Sequence, residues 1–203
     1  MTPEDVETFE RCISVGGVAV FPADTVYGLA TEPESREGVE RLYRLKGRLP
    51  DKPSAVMFFQ LEPALAALPE LGARTRAVME ALLPGPITFL LPNPAHRFPL
   101  ACGIEPDRIG IRVPKLDGAL APLAAVRRPV LQSSANLAGE PDARRVEDIA
   151  PAVRAGADMV LDGGELPGTP STVVDLSVWE DGGTFELVRE GAIPREAVVR
   201  SLR

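Results

Sequence analysis

The chain has 203 residues, 45% hydrophobic and 25% charged, the balance of a folded globular protein rather than of a disordered one. Two cysteines, Cys12 and Cys102, are too few for a disulfide framework, and a single histidine, His96, excludes a zinc site that needs two imidazoles. A formal net charge of −7 argues against bulk attraction to nucleic acid, but says nothing about where the 22 Lys and Arg residues sit, so a local basic pocket stays open.

The chain opens on Thr2-Pro3-Glu4-Asp5, which reads as an N-cap, a first-turn proline and acids at the positive end of a helix carrying Val6, Phe9 and Ile13 on one stripe. That acidic start has no signal-peptide core, and no apolar run is long enough to cross a bilayer, so a reduced cytoplasmic setting without membrane contact is expected. Gly16-Gly17 ends the helix, and Val18–Phe21 predicts a buried strand followed by a loop from Pro22. A second helix is expected over 35–46, with Val39, Leu42, Tyr43 and Leu45 inward and Gly47 as its stop. A strand at 55–59 follows, then helices at 61–68 and 73–83. Strands are predicted at 87–91 and 109–113, a helix near 116–126, and a strand from Pro129 to Ser133-Ser134. A helix over 146–154, a strand at 159–161, two late strands at 172–176 and 184–188 around Asp181-Gly182-Gly183, and a closing helix from Pro194 complete the chain. Strands alternating with helices, then clustering late, give an α/β class with a twisted, mixed parallel and antiparallel sheet flanked by helices, in one domain over 1–203.

The sequence has no Walker P-loop, no dinucleotide glycine fingerprint after a strand and no G-x-S-x-G elbow. With 5% aromatic residues it offers no base-stacking platform. Four polar clusters remain, each where a predicted strand or helix ends, which is where an α/β sheet binds ligands. Pro22–Leu29 is either a turn in which Asp24 and Thr25 bond nearby backbone or a ligand loop. Lys46-Gly47-Arg48, with Lys52 after it, is either a set of cations meeting a helix C-terminus or a phosphate clamp. In the 109–113 strand, alternation sets Arg112 opposite Ile109, Ile111 and Val113; it is either solvated or a two-pronged carboxylate clamp, with Arg108 beside it. Ser133–Asn136 is either a cap or a hydroxyl and amide aimed at a ligand, while His96 reads as a surface residue.

The strings PADTVYGL, KGR-x4-P, PGPIT, GIRVP, SSAN-x-x-G and PSTVVD, in this order from about residue 14 to Arg195, resemble the YrdC-like family of threonylcarbamoyl-AMP synthases. Longer members carry an extra C-terminal domain, and this chain looks like the short form. The resemblance implies condensation of L-threonine, bicarbonate (or carbon dioxide) and ATP to threonylcarbamoyl-AMP and pyrophosphate. A downstream tRNA threonylcarbamoyl transferase complex then acts on the adenosine beside the anticodon. It also implies a concave basic face on the sheet.

By motif, Lys46, Arg48, Ser134 and Asn136 match the family's catalytic, ATP-binding tetrad. Lys52, Arg108 and Arg189 match further ATP-side positions, and Thr25, Arg112 and Ser171 match the threonine site, with Thr88 lining the same cavity. Mg²⁺ is expected with ATP, held by phosphate and water rather than by a protein cage. Weak or no direct tRNA binding is expected. Many relatives have Thr at Ala23, some have His at Met57, and Ser often stands at Ala138 and Asp142. The His that some relatives have at Met57 touches the threonine substrate, a contact this chain lacks, although a thioether could still pack on the substrate methyl; Asp142 is left out of the site because it would repel phosphate. The chemistry suits these residues, because fixed cations offset the repulsion between carbamate and triphosphate as pyrophosphate leaves. The alternative from another class is a double-stranded RNA-binding or ribosome-maturation module without ATP turnover. A carbamoyl-transfer domain of the hydrogenase-maturation type is the third, but it belongs in a longer, cysteine-rich chain.

Overall fold

A computed structural model describes residues 1–49 and 51–202. Its elements are α1 (Pro3–Ser14), β1 (Ala19–Pro22), β2 (Tyr27–Thr31), α2 (Arg36–Lys46), β3 (Ala55–Met57), α3 (Leu61–Ala66), α4 (Ala73–Leu82) and β4 (Ile87–Pro92). There follow α5 (Pro99–Cys102), β5 (Arg108–Arg112), β6 (Val130–Ser134), α6 (Pro151–Gly156), β7 (Met159–Val160), β8 (Thr172–Asp175), α7 (Trp179–Gly182), β9 (Glu186–Arg189) and α8 (Arg195–Ser201). The strands form one sheet in the order β7-β1-β2-β6-β3-β5-β4-β8-β9. The pairs β1/β7, β3/β5 and β4/β8 are parallel and the others antiparallel, which is the mixed sheet the sequence leads one to expect.

Local signals account for the helix ends. Thr2 and Asp5 form a reciprocal capping box on α1, with Asp5 N–H to Thr2 Oγ1 at 3.2 Å and Thr2 N–H to Asp5 Oδ2 at 2.7 Å. Ser35 caps α2 through Gly38 N–H at 3.2 Å. Gly47 ends α2 at φ 61°, a left-handed conformation that glycine adopts without a Cβ clash.

Several boundaries differ from the sequence reading. The stretch after Pro22 is not only a loop: Tyr27–Thr31 is the strand β2, paired to β1 and β6 deep inside the sheet. Its apolar run is short and broken by Gly28, which hides it from a periodicity argument. Gly28 is needed because a Cβ there would lie 2.9 Å from the buried Phe21 ring. The helix expected near 116–126 is a 3-10 helix, Gly118–Ala125, with Pro122 inside it, since proline withholds an α-helical N–H donor. The 146–154 helix is a 3-10 turn, Val146–Asp148, followed by α6, with Pro151 starting the second piece. The strand at 55–59 stops at Met57, the helix at 61–68 stops at Ala66, and α5 and α7 fall in stretches read as loop and turn.

The two faces of the sheet are used differently. One packs Val20, Leu29, Val56, Phe89, Ile111 and Leu131 into the main core. The other is covered by α1 over part of its width, where Phe9, Phe21, Phe59, Met57 and Val130 form a second cluster and Phe9 lies edge-on to Phe59 at 6.0 Å between ring centroids. Beyond that cluster the same strands turn small and polar: Ala55 two residues before Met57, Gln132 two after Val130, Gly110 two before Arg112. That half of the face is left open.

Tyr27, on the main-core side of β2, ties the neighbouring loop to the sheet. Its buried hydroxyl donates toward Asp162 Oδ1 (3.0 Å) and Gly164 O (2.8 Å) and accepts Gly163 N–H at 3.0 Å, and burial pushes its pKa up to about 12. Removing the hydroxyl in Tyr27→Phe strands the Gly163 donor, so stability should fall by about 1–3 kcal/mol. Urea unfolding should show this as a lower midpoint with an unchanged slope.

Candidate functional site

The open half of the sheet face is a cavity of ≈ 230 Å³. Arg48, Thr88, Arg112, Ser134, Ser171 and Arg189 all line it, although they span more than half the chain. Three guanidinium groups therefore share one hollow in a protein of net charge −7.

Each guanidinium is anchored from behind. The left-handed Gly47 turns the chain so that Arg48 N–H bonds Tyr43 O at 2.9 Å. The Arg48 side chain then donates to Ser133 Oγ at 3.3 Å and to the Pro53 carbonyl, and its Nε is buried without a partner. Arg189, on the late strand β9, donates through Nη2 to Ser171 O at 2.7 Å and to Ser171 Oγ at 3.2 Å. Ser171 Oγ in turn meets Thr88 Oγ1 at 2.9 Å, which joins β9, β4 and the lead into β8 in one polar chain. Burial lowers the Arg189 pKa; Asp142 opposes that and Arg112 adds to it.

Arg112 is 3% exposed, not solvated. Its Nη2 donates to Asp24 Oδ1 and to Thr25 Oγ1, both at 2.5 Å, and its Nε is buried with no partner. The Nε atoms of Arg48 and Arg112 are out of solvent's reach, so a ligand in the cavity meets these two residues through their Nη groups.

Lys46 is 3% exposed and does not line the cavity. Its ammonium contacts Asn136 O at 2.8 Å, Asn136 Oδ1 at 3.0 Å and the Ser134 carbonyl, which uses its three protons. Ser134 Oγ donates to Asn136 Oδ1 at 2.5 Å, and Lys46 O accepts Ala138 N–H at 2.8 Å. The K-x-R and S-x-N pairs thus form a strut, Lys46 with Asn136, and a presented pair, Arg48 with Ser134. Burial, with the Arg48 charge adding to it, pulls the Lys46 ammonium down to about 8, against an upward pull from Asp142.

Not every residue named from sequence reaches the hollow. Lys52 is exposed, and its carbonyl serves as acceptor for Tyr43 Oη at 3.1 Å. Arg108 sits further along β5, clasped by Glu105 and by Asp175 Oδ2 at 2.5 Å; two carboxylates raise its pKa despite the cost of burial. Its charge is spent locally. Met57 is fully buried in the α1 cluster and does not line the cavity, so the thioether is a core group, not a substrate contact.

Among the polar lining residues, Ser54 and Gln132 escaped the sequence reading. Gln132 and Ser133 precede Ser134 on β6, and strand alternation from Ser134 would have placed Gln132 on the same face. Asp142 was set aside for its sign, yet it is the one acid among the described residues lining the cavity. Asp24, for which the sequence leaves a turn and a ligand loop open, lies against the Arg112 guanidinium.

A family model for Sua5/YciO/YrdC proteins, described as telomere recombination, matches residues 11–191. The chain is similar to the threonylcarbamoyl-AMP synthase of Pyrococcus abyssi, at 29% identity over 187 residues, covering 92% of this chain and 54% of that one. It is similar to the threonylcarbamoyl-AMP synthase of Bacillus subtilis at 33% over 187 residues, 89% of this chain and 51% of the relative. The crystal structure of P. abyssi Sua5 complexed with L-threonine superposes with a TM-score of 0.86 at 26% identity, covering 99% of this chain and 58% of that one. The chain therefore spans about half the length of these relatives.

Asp142 should weaken anion binding in the cavity. Asp142→Ser removes that charge, and pyrophosphate without added metal should bind about tenfold more tightly by calorimetry. Unchanged or weaker binding would mean the carboxylate lies outside the anion's reach.

Proposed function

The chain belongs to the Sua5/YciO/YrdC family, and from that premise we propose that it is a threonylcarbamoyl-AMP synthase taking L-threonine, bicarbonate or carbon dioxide, and ATP. The observation that carries the reading is the meeting of Arg48, Arg112, Ser134 and Arg189 in one cavity. Two anions have to be held side by side there, a carboxylate and a polyphosphate, and guanidinium groups recognise both.

In this reading Arg112 takes the threonine carboxylate, beside Thr25, Thr88 and Ser171. That leaves the amine free. Once it has given its ammonium proton to solvent it attacks carbon dioxide, and the N–C bond forms as one C=O pair moves to oxygen. The second N–H proton released goes to solvent bicarbonate, leaving a carbamate anion. A carbamate oxygen then attacks the α-phosphorus of ATP, the bond to the bridging oxygen breaks, and pyrophosphate leaves with the electron pair. Arg48, Ser134 and Arg189 serve the nucleotide, with Lys46 and Asn136 holding Ser134 in place. Oriented cations stabilise the leaving charge, and positioning supplies much of the remaining acceleration. The carbamate oxygen is already anionic, so no strong general base is needed.

Mg²⁺ would travel with ATP and neutralise phosphate charge. In this reading phosphate and water hold most of the ion's coordination sphere, and Asp142 is the acid of the described lining able to offer an oxygen. Transfer of the product's threonylcarbamoyl group to tRNA by a separate complex, with little direct tRNA binding here, fits a chain of net charge −7. No helix among the described residues is long and apolar enough to cross a membrane.

Pyrophosphate release from ATP should require both bicarbonate and threonine. Release under no condition would favour the RNA-binding alternative. Arg112→Ala should raise the threonine KM by about tenfold or more, with a smaller change for ATP, and Arg48→Ala should do the converse. An unaltered threonine KM in Arg112→Ala removes the clamp assignment.

A pH profile tests the strut. The folded Lys46 pKa of about 8 lies below the ordinary 10.5, so the ammonium is charged below about 8 and discharged above it. With its charge gone the amine has one proton fewer for its three acceptors, so kcat/KM for ATP should fall as pH rises through about 8. A flat profile between pH 7 and 9 would count against it.

A further inference from the structure

The guanidinium assigned to the amino-acid carboxylate already holds a carboxylate. Arg112 Nη2 gives both its protons away, to Asp24 Oδ1 and Thr25 Oγ1. The side chains of Arg112 and Asp24 are 3% and 7% exposed, so this pair is out of water. Asp24 Oδ2 accepts Lys115 N–H at 2.9 Å, which fixes the acid from its other side and ties the β1–β2 loop to the segment after β5. A guanidinium has two forks for a carboxylate, Nε with Nη2 and Nη1 with Nη2. Both need Nη2. Arg112 therefore has Nη1 and Nε left, on opposite sides of the group, and cannot act as the two-pronged clamp that the sequence suggests while Asp24 stays in place.

Charge sorting follows from the same contact. Arg48 and Arg189 are anchored by carbonyls and hydroxyls rather than by a bound carboxylate, and Asp142 acts on Arg189 through its field alone. Arg112 is anchored by an anion. A polyphosphate prefers cations that no carboxylate already holds, so it is drawn more strongly to Arg48 and Arg189 than to Arg112.

We propose that Asp24 is a positioning residue for the amino-acid substrate: by occupying Nη2 it presents Arg112 as a single-pronged donor at one angle and keeps polyphosphate off that donor. The inference rests on the threonine reading of the cavity. With Asp24 present, Nη1 meets one oxygen of the ligand carboxylate, which sets where the substrate amine points.

The test is pyrophosphate release with ATP and bicarbonate saturating and threonine varied. Asp24→Ala should lower kcat by about tenfold or more while leaving the ATP KM unchanged, because a loosely held guanidinium no longer aims the amine. Asp24→Asn keeps an acceptor for Nη2 but drops the charge. It should retain more kcat than the Ala variant, and inorganic triphosphate should inhibit it competitively against threonine about tenfold more strongly than it inhibits the wild type. Wild-type kcat in Asp24→Ala, or no gain in triphosphate competition in Asp24→Asn, overturns the inference while leaving the synthase reading standing. Should the Ala variant not fold, the triphosphate competition in the Asn variant decides alone. A wild-type protein that releases pyrophosphate with no amino acid overturns the synthase reading itself, and the Asp24 role falls with it.

Discussion

Like charges held close together in a partly dry cavity repel, and the whole site depends on how that repulsion is contained. Arg48, Arg112 and Arg189 line one hollow, and the backbone supplies most of the restraint: the Pro53 and Ser171 carbonyls behind Arg48 and Arg189, the Lys46 ammonium against the Ser134 and Asn136 carbonyls. Carbonyl oxygens hold a cation in position without cancelling its charge. Carboxylates do both, and they appear at two places only along the described lining and its anchors, Asp142 and Asp24. The balance between these two kinds of acceptor sets the field that an anionic ligand meets.

The architecture makes room for this arrangement by spending only half of one sheet face on hydrophobic packing. The α1 aromatic cluster stops where β3, β5 and β6 change to Ala55, Gly110 and Gln132. Strands that are apolar at one end and small or polar at the other supply a buried core and a ligand floor on the same surface. The opposite face stays a continuous apolar layer, so the cavity does not weaken the main core.

The arginines come from distant elements, and this affects how the site tolerates change. Arg48 is placed by a glycine turn, Arg112 by strand register, and Arg189 by an edge strand whose partner β8 carries a register shift at Val173/Val174. Loss of any one anchor leaves a buried or half-buried cation without its acceptor, a larger penalty than the hydrogen bond itself is worth.

Much of the fold was legible from local chemistry. The capping box at Thr2–Asp5, the Gly47 stop and the apolar runs at β1, β4 and β5 are each decided within a few residues, so sequence alone locates them. The ordered motifs likewise pointed to the residues that converge in the cavity, Arg48, Arg112, Ser134, Ser171 and Arg189, and to the family. What sequence could not determine depends on separations of tens of residues. Strand β2 is short and interrupted, and exists because β1 and β6 hydrogen-bond it from both sides. Arg108 and Lys52 look as available as Arg48 until Glu105, Asp175 and solvent are seen around them. Whether Asp24 bonds its own turn or a guanidinium 88 positions away is set by the register of β5 against the rest of the sheet, and that register is a long-range property. A side chain's type and its neighbours in the chain fix what it can bond; only the assembled sheet decides which partner is within reach.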